Sequence, residues 1–396
     1  MGIVGSMARF AFNQLTREKS PTQNPAASHG RNSRTVASAV SIQQSASRYQ
    51  NSAVAVSALP QLYSMEILEI RQETHNAVSI IMKPRNGKIP DYKPGQFLTL
   101  ILNIEGEEYR RAYSFSSCPL DHDHVAVTVK RVEGGKVSNY LNENVKVGDV
   151  LQVMGPSGSF TLDSLEKTGN SFVFIGGGSG ITPMVSLAET LLRQSESARI
   201  MLLYGNRSLK EIIFRKRLDQ LAKQYAPRFS VVHVVEKPSK TFEGSTGLLT
   251  GNKILELVRN PTQHQYFICG PGPMMDGAET ALKTAGVSEK DIKLERFSSP
   301  SNKAFAVPQE SHSIQFKNSG IDVLPEVGET LLKAGLRAGA PLHYSCTMGG
   351  CGACKVKVVK GNAMMPEPNC LSKAEREKGY VLGCITYAGS ELEIEG

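Results

Sequence analysis

Three kinds of hydrophobic spacing succeed one another along the chain. Between about Leu62 and Phe160, apolar and polar residues alternate in period two, as in Met65-Glu66-Ile67-Leu68-Glu69-Ile70, Phe97 to Leu102 and Val125 to Lys130. That period puts alternate side chains on opposite faces of a strand. Turn signals such as Lys93-Pro94-Gly95 and Gly155-Pro156-Ser157-Gly158 separate the runs, so the segment predicts a small antiparallel β-barrel. After residue 170, short apolar runs at 171–175, 200–204 and 266–269 alternate with helical segments. One of these, Pro183 to Arg193, carries Met184, Leu187, Ala188, Leu191 and Leu192 on one face. Buried strands alternating with amphipathic helices predict a doubly wound α/β sheet. Ser299 to Ser311 has two prolines and no period, and reads as a linker. A strand near 313–316, a helix near 329–339 and a strand at 392–394 then predict a third, α+β domain. The expected divisions are a disordered extension over 1–59, the barrel over 60–163, the α/β domain over 164–298, the linker over 299–311 and the last domain over 312–396.

Composition changes this picture mainly at the start. The net charge is +8, but residues 1 to 58 hold six Lys/Arg against the single acid Glu18. The remainder is only mildly basic, which argues against a nucleic-acid partner. The opening segment is rich in Ser, Asn, Gln and Ala and too poor in apolar surface to offset its ordering entropy, so it is expected to be disordered. It also fits an acid-poor transit peptide, and Met1-Gly2-Ile3-Val4-Gly5-Ser6 matches a myristoylation pattern. The expected location is the cytoplasm, or an organelle where the extension is a transit peptide. No apolar run approaches the roughly 18 residues of a membrane span.

Seven cysteines, five of them crowded near the C-terminus, suit a metal site better than a disulfide framework. Cys346, Cys351 and Cys354 give C-x4-C-x2-C, and Cys384 follows Cys354 after 29 intervening residues. That is the spacing of a plant-type [2Fe-2S] site, in which thiolates meet a soft iron–sulfur cluster. Gly349, Gly350 and Gly352 let the loop fold tightly and bring amides to sulfur. Structural zinc favours paired C-x2-C knuckles, and only one C-x2-C occurs. Cys370 and Cys118 are surplus to this set and are expected to be buried small residues.

Arg111-Ala112-Tyr113-Ser114 combines a cation for a diphosphate, an aromatic for a flat heterocycle and a hydroxyl for a ring nitrogen. An exposed strand end would look the same locally. Gly135-Lys136-Val137-Ser138 opens a short helix whose amides suit a phosphate, although an ordinary turn and helix cap share that pattern. Gly177-Gly178-Ser179-Gly180-Ile181-Thr182-Pro183 follows a buried strand and opens a helix, with Pro183 expected at its first position. A second glycine turn, Cys269-Gly270-Pro271-Gly272-Pro273-Met274, ends a later strand. Asp121-His122-Asp123-His124 reads as a polar hairpin turn, and no E-x-x-H pair for a di-iron centre exists.

In this order, over residues 60 to 396, the motifs resemble the ferredoxin-NADP reductase superfamily, in particular oxygenase-type reductases with a C-terminal plant-type ferredoxin domain. The resemblance implies a FAD-binding barrel, with FMN second, an NAD(P)-binding α/β domain and a β-grasp-like ferredoxin domain. Arg111, Ala112, Tyr113 and Ser114 would hold the flavin, Gly135, Lys136, Val137 and Ser138 its phosphates, and Val129 and Lys130 would lie beside the cofactors. Gly177, Gly178, Ser179, Gly180, Thr182 and Pro183 would bind the nicotinamide nucleotide, with Cys269, Gly270, Pro271 and Met274 beside the nicotinamide and Asn206 and Arg207 near the adenosine ribose. Ser114, Cys269, Glu295 and Phe297 would serve the chemistry, the last two closing over the flavin. Arg207, Lys210, Arg215 and Arg217 lean the expectation to NADPH over NADH, whereas Glu236 suits a free ribose hydroxyl. The implied reaction carries electrons from NAD(P)H through FAD and the cluster to a terminal oxygenase, hydroxylase or desaturase. The alternatives are a reductase of a hybrid iron–sulfur protein and an electron-transfer or regulatory subunit locked to a larger enzyme.

Overall fold

A computed structural model describes residues 61–164, 170–297, 305–367 and 369–396. The expected disordered extension and the first part of the linker lie outside the described residues. Residues 305–311 carry neither helix nor strand, as expected of a linker.

The first domain is a six-stranded antiparallel sheet of β1 (Leu62–Thr74), β2 (Ala77–Pro84), β3 (Phe97–Ile104), β4 (Glu107–Ser114), β5 (Val125–Lys130) and β6 (Val150–Ser157). Their order is β4-β3-β6-β1-β2-β5, and a bridge from Phe115 to Val127 brings the two edges together. Period-two alternation has the expected result. Met65, Ile67, Ile80, Met82, Leu98, Leu100, Val127 and Val153 fill the interior at almost no exposure, each such side chain contributing on the order of 1.5–3 kcal/mol. Helix α1 (Lys136–Glu143) follows β5 directly after Gly135.

The second domain carries β7 (Ser171–Gly177), α2 (Ile181–Gln194), β8 (Arg199–Asn206), α3 (Arg215–Gln224), β9 (Phe229–Val235), β10 (Ser245–Thr246), α4 (Gly251–Leu257), β11 (Gln265–Cys269), α5 (Gly272–Thr284) and β12 (Ile292–Glu295). Every strand pairing here is parallel, in the order β10-β9-β8-β7-β11-β12. The chain reverses direction across the sheet between β7 and β11, and in such folds a crevice opens there at the strands' carboxyl ends. Both glycine turns sit at that point. Phe172 to Ile175 are all buried because helices cover both faces. The sequence placed Pro183 first in its helix. Instead α2 begins at Ile181 and Pro183 is third, still within the first turn, where a missing N–H costs nothing.

The last domain holds β13 (Ile314–Phe316), β14 (Ile321–Val323), α6 (Leu331–Arg337), β15 (Lys355–Lys360), β16 (Ala363–Met364), α7 (Lys373–Glu377), β17 (Tyr380–Leu382), β18 (Tyr387–Ala388) and β19 (Leu392–Glu395). Its mixed sheet runs β14-β13-β19-β15-β17. Helix α6 packs Leu331, Leu332 and Ala334 against Phe316, Leu342 and Leu382. This is the α+β arrangement expected, with α6 shorter than the predicted helix.

Candidate active site

The four cysteines of the predicted cluster meet as two pairs. A thiol hydrogen bond from Cys351, with amides of Met348, Gly350 and Cys351, holds the pKa of the Cys346 thiol below its usual range. A thiol hydrogen bond from Cys384 lowers that of Cys354 in the same way. The Gly349 amide donates to Cys384 Sγ at 3.3 Å. Thr347, Gly349 and Gly352 take positive φ to make this wrap. Two pairs of soft donors with amides aimed at sulfur fit two irons needing two thiolates each. Cys370 lies beside the loop, its amide on the Gly349 carbonyl at 3.0 Å, and burial pushes its thiol up to about 12.

The cluster loop packs on the barrel. Ser345 hydrogen-bonds Thr99 of β3, and the Arg110 guanidinium of β4 lies over the Tyr344 ring at 5.4 Å. Between the domains is a cavity of about 360 Å³, whose walls include Ala112, Ser114, Glu295 and Phe297 on one side and Gly350, Cys351, Gly352 and Ala353 on the other. Ser114 Oγ donates to Glu295 Oε2 at 3.4 Å. Burial pushes the Glu295 carboxyl up to about 8, so near neutral pH it keeps its proton. Cys269 is wholly buried and, through that burial and the nearby Glu295, its thiol is pushed well above its usual range. Phe297 stays 42% exposed at the cavity wall.

Arg111 and Tyr113 lie elsewhere. Tyr113 packs on the barrel core, and the Arg111 guanidinium and the Lys136 ammonium flank the Tyr109 ring at 5.8 and 5.7 Å. Two cations converging from β4 and α1 suit a diphosphate. The sequence reading missed Tyr109. Ser138 Oγ accepts from the Val132 amide at 3.0 Å and so closes the turn that opens α1, beside buried Val137.

The larger cavity, about 910 Å³, opens at the switch point between β7 and β11. Its walls include Lys130, Gly177, Gly178, Asn206, Arg207, Glu236, Pro271 and Met274, all named from sequence, and also Glu211 and Leu249. The two glycine turns are pressed together. A Cβ on Gly180 would stand 2.1 Å from the Cys269 carbonyl oxygen, and one on Gly177 would stand 2.6 Å from the Pro271 ring. Buried Asn206 has its side-chain nitrogen and oxygen without a partner in the protein, as a cavity built for a polar ligand requires. Thr182 Oγ1 donates to the Ser179 carbonyl at 3.1 Å, ordering the turn. Lys130 pairs with Glu211 at 3.0 Å. No local signal marked Glu211, because the partners lie 81 residues apart. Arg217, a candidate for a ribose phosphate, faces away from this cavity and is bound to Glu189.

The chain matches three family models, described as an oxidoreductase FAD-binding domain over residues 67–162, an oxidoreductase NAD-binding domain over 174–280 and a 2Fe-2S iron-sulfur cluster binding domain over 315–389. It is 34% identical over 335 residues to one of the subunits of 1,2-phenylacetyl-CoA epoxidase from Escherichia coli K12, covering 81% of this chain and 94% of that one. The chain belongs to the oxygenase-type reductase family. A second member of that family, the ferredoxin reductase component of 3-ketosteroid-9-alpha-monooxygenase from Rhodococcus rhodochrous, is 33% identical over 81% of this chain and 92% of its own. Phthalate dioxygenase reductase has the same fold, with a TM-score of 0.58, 22% identity and coverage of 85% of this reductase and 98% of that one. The reductase is thus an NAD(P)H oxidoreductase that uses FAD and a [2Fe-2S] cluster to pass electrons onward. Among the described residues no helix is long and apolar enough to cross a membrane.

Proposed function

We propose that the reductase delivers electrons to a terminal oxygenase, hydroxylase or desaturase, and that it does so through the cavity joining the flavin and cluster sites. The carrying observation is that Ser114 and Glu295 share one cavity with Cys351, so a ring seated against Ser114 faces the cluster loop without an intervening domain movement. Bound FAD supplies the conversion of a two-electron hydride into single electrons, and the cluster stores one of these at a time. The chain's residues do the rest. Arg111 and Lys136 hold the flavin diphosphate, Ser114 orients the ring, and neutral Glu295 keeps a proton available through Ser114. The Gly177–Thr182 turn and the Cys269–Met274 turn hold the nucleotide between them. Cys346, Cys351, Cys354 and Cys384 ligate the cluster. The domain limits 60–163, 164–298 and 312–396 remain our reading, supported by the family matches within them.

For the nucleotide, the cavity walls balance Lys130, Arg131 and Arg207 against Glu133, Glu211 and Glu236, and Arg217 is engaged elsewhere. Such a wall offers little net charge to an extra phosphate. This moves our reading from NADPH to NADH, with Glu236 at the end of β9 accepting from the ribose hydroxyl. Glu236→Gln should shift the ratio of kcat/KM for NADH over NADPH toward NADPH by roughly tenfold, the scale of removing one exposed charge from a phosphate. An unchanged ratio would contradict the assignment.

A further inference from the structure

Strand β4 carries Ser114 at its end, and helix α2 begins with the nucleotide turn and Thr182. The residues after Ser114 lie along α2. Ser186 Oγ donates to the Ser117 carbonyl at 2.7 Å, Cys118 Sγ meets Thr190 Oγ1 at 3.4 Å, and Arg193 reaches Asp121 at 2.6 Å. On the barrel side Tyr92 fixes the same strap, through its hydroxyl on Ser117 and its ring stacked on Phe115 at 3.7 Å. At the centre is Arg217 of α3. Its Nε and Nη2 donate to the two carboxylate oxygens of Glu189, both at 2.6 Å, and its Nη1 donates to the Ser116 carbonyl at 2.8 Å. The Glu189 side chain is only 12% exposed. Phe214, buried and held at φ +61°, caps α3 and lies 5.5 Å beneath the guanidinium. A buried aromatic with positive φ is strained, and it persists where its surroundings over-determine it. Cys118, Asp121 and Glu189 crowd together in a way that invites a metal, but the two arginines already compensate the acids.

We infer that Arg217 is a positioning residue for hydride transfer: one guanidinium ties the strap beside Ser114 to the helix that begins at the nucleotide turn, and so sets the separation of the flavin and nicotinamide sites. Ser116 is two residues from Ser114, and Glu189 is seven from Thr182, about 10 Å along α2. Displacement at the clamp therefore passes into both sites. A misplacement of about 1 Å between reacting groups costs on the order of 10²-fold in rate. The inference rests on the reading that Ser114 and Thr182 flank the reacting rings.

The test uses full-length protein loaded with FAD and cluster, as Arg217→Met, Arg217→Lys and Glu189→Gln. Anaerobic stopped-flow absorbance follows flavin reduction by NADH, by NADH deuterated at the transferred position and by NADPH, alongside NAD⁺ and NADP⁺ binding by calorimetry and photoreduction of the flavin without nucleotide. Arg217→Met should slow reduction at least tenfold and change the isotope effect, with NAD⁺ affinity within twofold of wild type. Arg217→Lys, which keeps the charge without the fork, should fall between. Cluster reduction after photoreduction should be unchanged, and its loss in the wild type would sink the underlying site reading instead. Reduction within twofold of wild type in the folded variants overturns the inference, as does a loss confined to NADPH affinity, which would return Arg217 to a ribose phosphate. If Arg217→Met does not fold, Glu189→Gln and Arg217→Lys decide by the same criteria.

Discussion

The contact between the two glycine turns makes Gly180→Ala a sharp perturbation. Gly180 has ordinary right-handed torsions, φ −62° and ψ −6°, so the substitution imposes no backbone strain and acts through space alone. Its new Cβ would lie 2.1 Å from the Cys269 carbonyl oxygen and 2.8 Å from the Gly270 nitrogen, both backbone atoms. Restoring at least 3.0 Å to the first contact parts the turns by roughly 0.9 Å. Overpacking of this kind costs about 1–3 kcal/mol, which a domain with this core survives. The function is more sensitive, because the same 0.9 Å parts the two turns that hold the nucleotide between them. A loss of about 10²-fold in flavin reduction is expected. Stopped-flow reduction by NADH under anaerobic conditions measures it, with FAD content and thermal stability as controls. A folded Gly180→Ala protein that reduces its flavin at the wild-type rate would refute the idea that the apposed turns set the reaction geometry.

Two further outcomes follow from the site. Burial raises the folded-state pKa of Glu295 above that of the unfolded carboxyl, so its contribution to stability is full below about 4.5 and is lost as pH rises through about 8. Glu295→Gln should therefore lose less melting temperature than wild type between pH 5 and 9, and should lack an ionisation near 8 in the pH profile of flavin reduction; parallel pH curves for the two proteins would contradict this. Cys384→Ser should remove the visible absorbance of the cluster while keeping FAD. Reduction of ferricyanide, which takes electrons from the flavin, should then stay within about twofold of wild type and reduction of a protein one-electron acceptor should fall more than tenfold.

Much of the fold could be read from local pattern because local pattern causes it. Alternation in 65–70 gives a strand with its buried side chains on one face, and the apolar runs in 97–102, 125–130 and 172–175 mark strands covered almost throughout. The cluster cysteines were legible for a similar reason, since three ligands lie within nine residues. What escaped depends on contacts distant in sequence. Arg217 looked like a phosphate ligand in a basic stretch, and only packing reveals its carboxylate 28 residues away and its carbonyl 101 residues away. Glu211 and Tyr109 acquire meaning only when another element brings Lys130 or Arg111 beside them. Pro183 shifted by two positions because the 3-10 turn at Gly178–Gly180 leads straight into α2, and a glycine run gives no sign of where the helix takes over.

The central claim is that flavin and cluster are consecutive stations in one chain of electron transfer. An anaerobic titration of the purified holoprotein with NADH, followed by absorbance across the flavin and cluster bands, tests it directly. The account predicts that both bands bleach in the absence of any partner, with cluster reduction following the flavin. Bleaching of the flavin with the cluster left oxidised would contradict it.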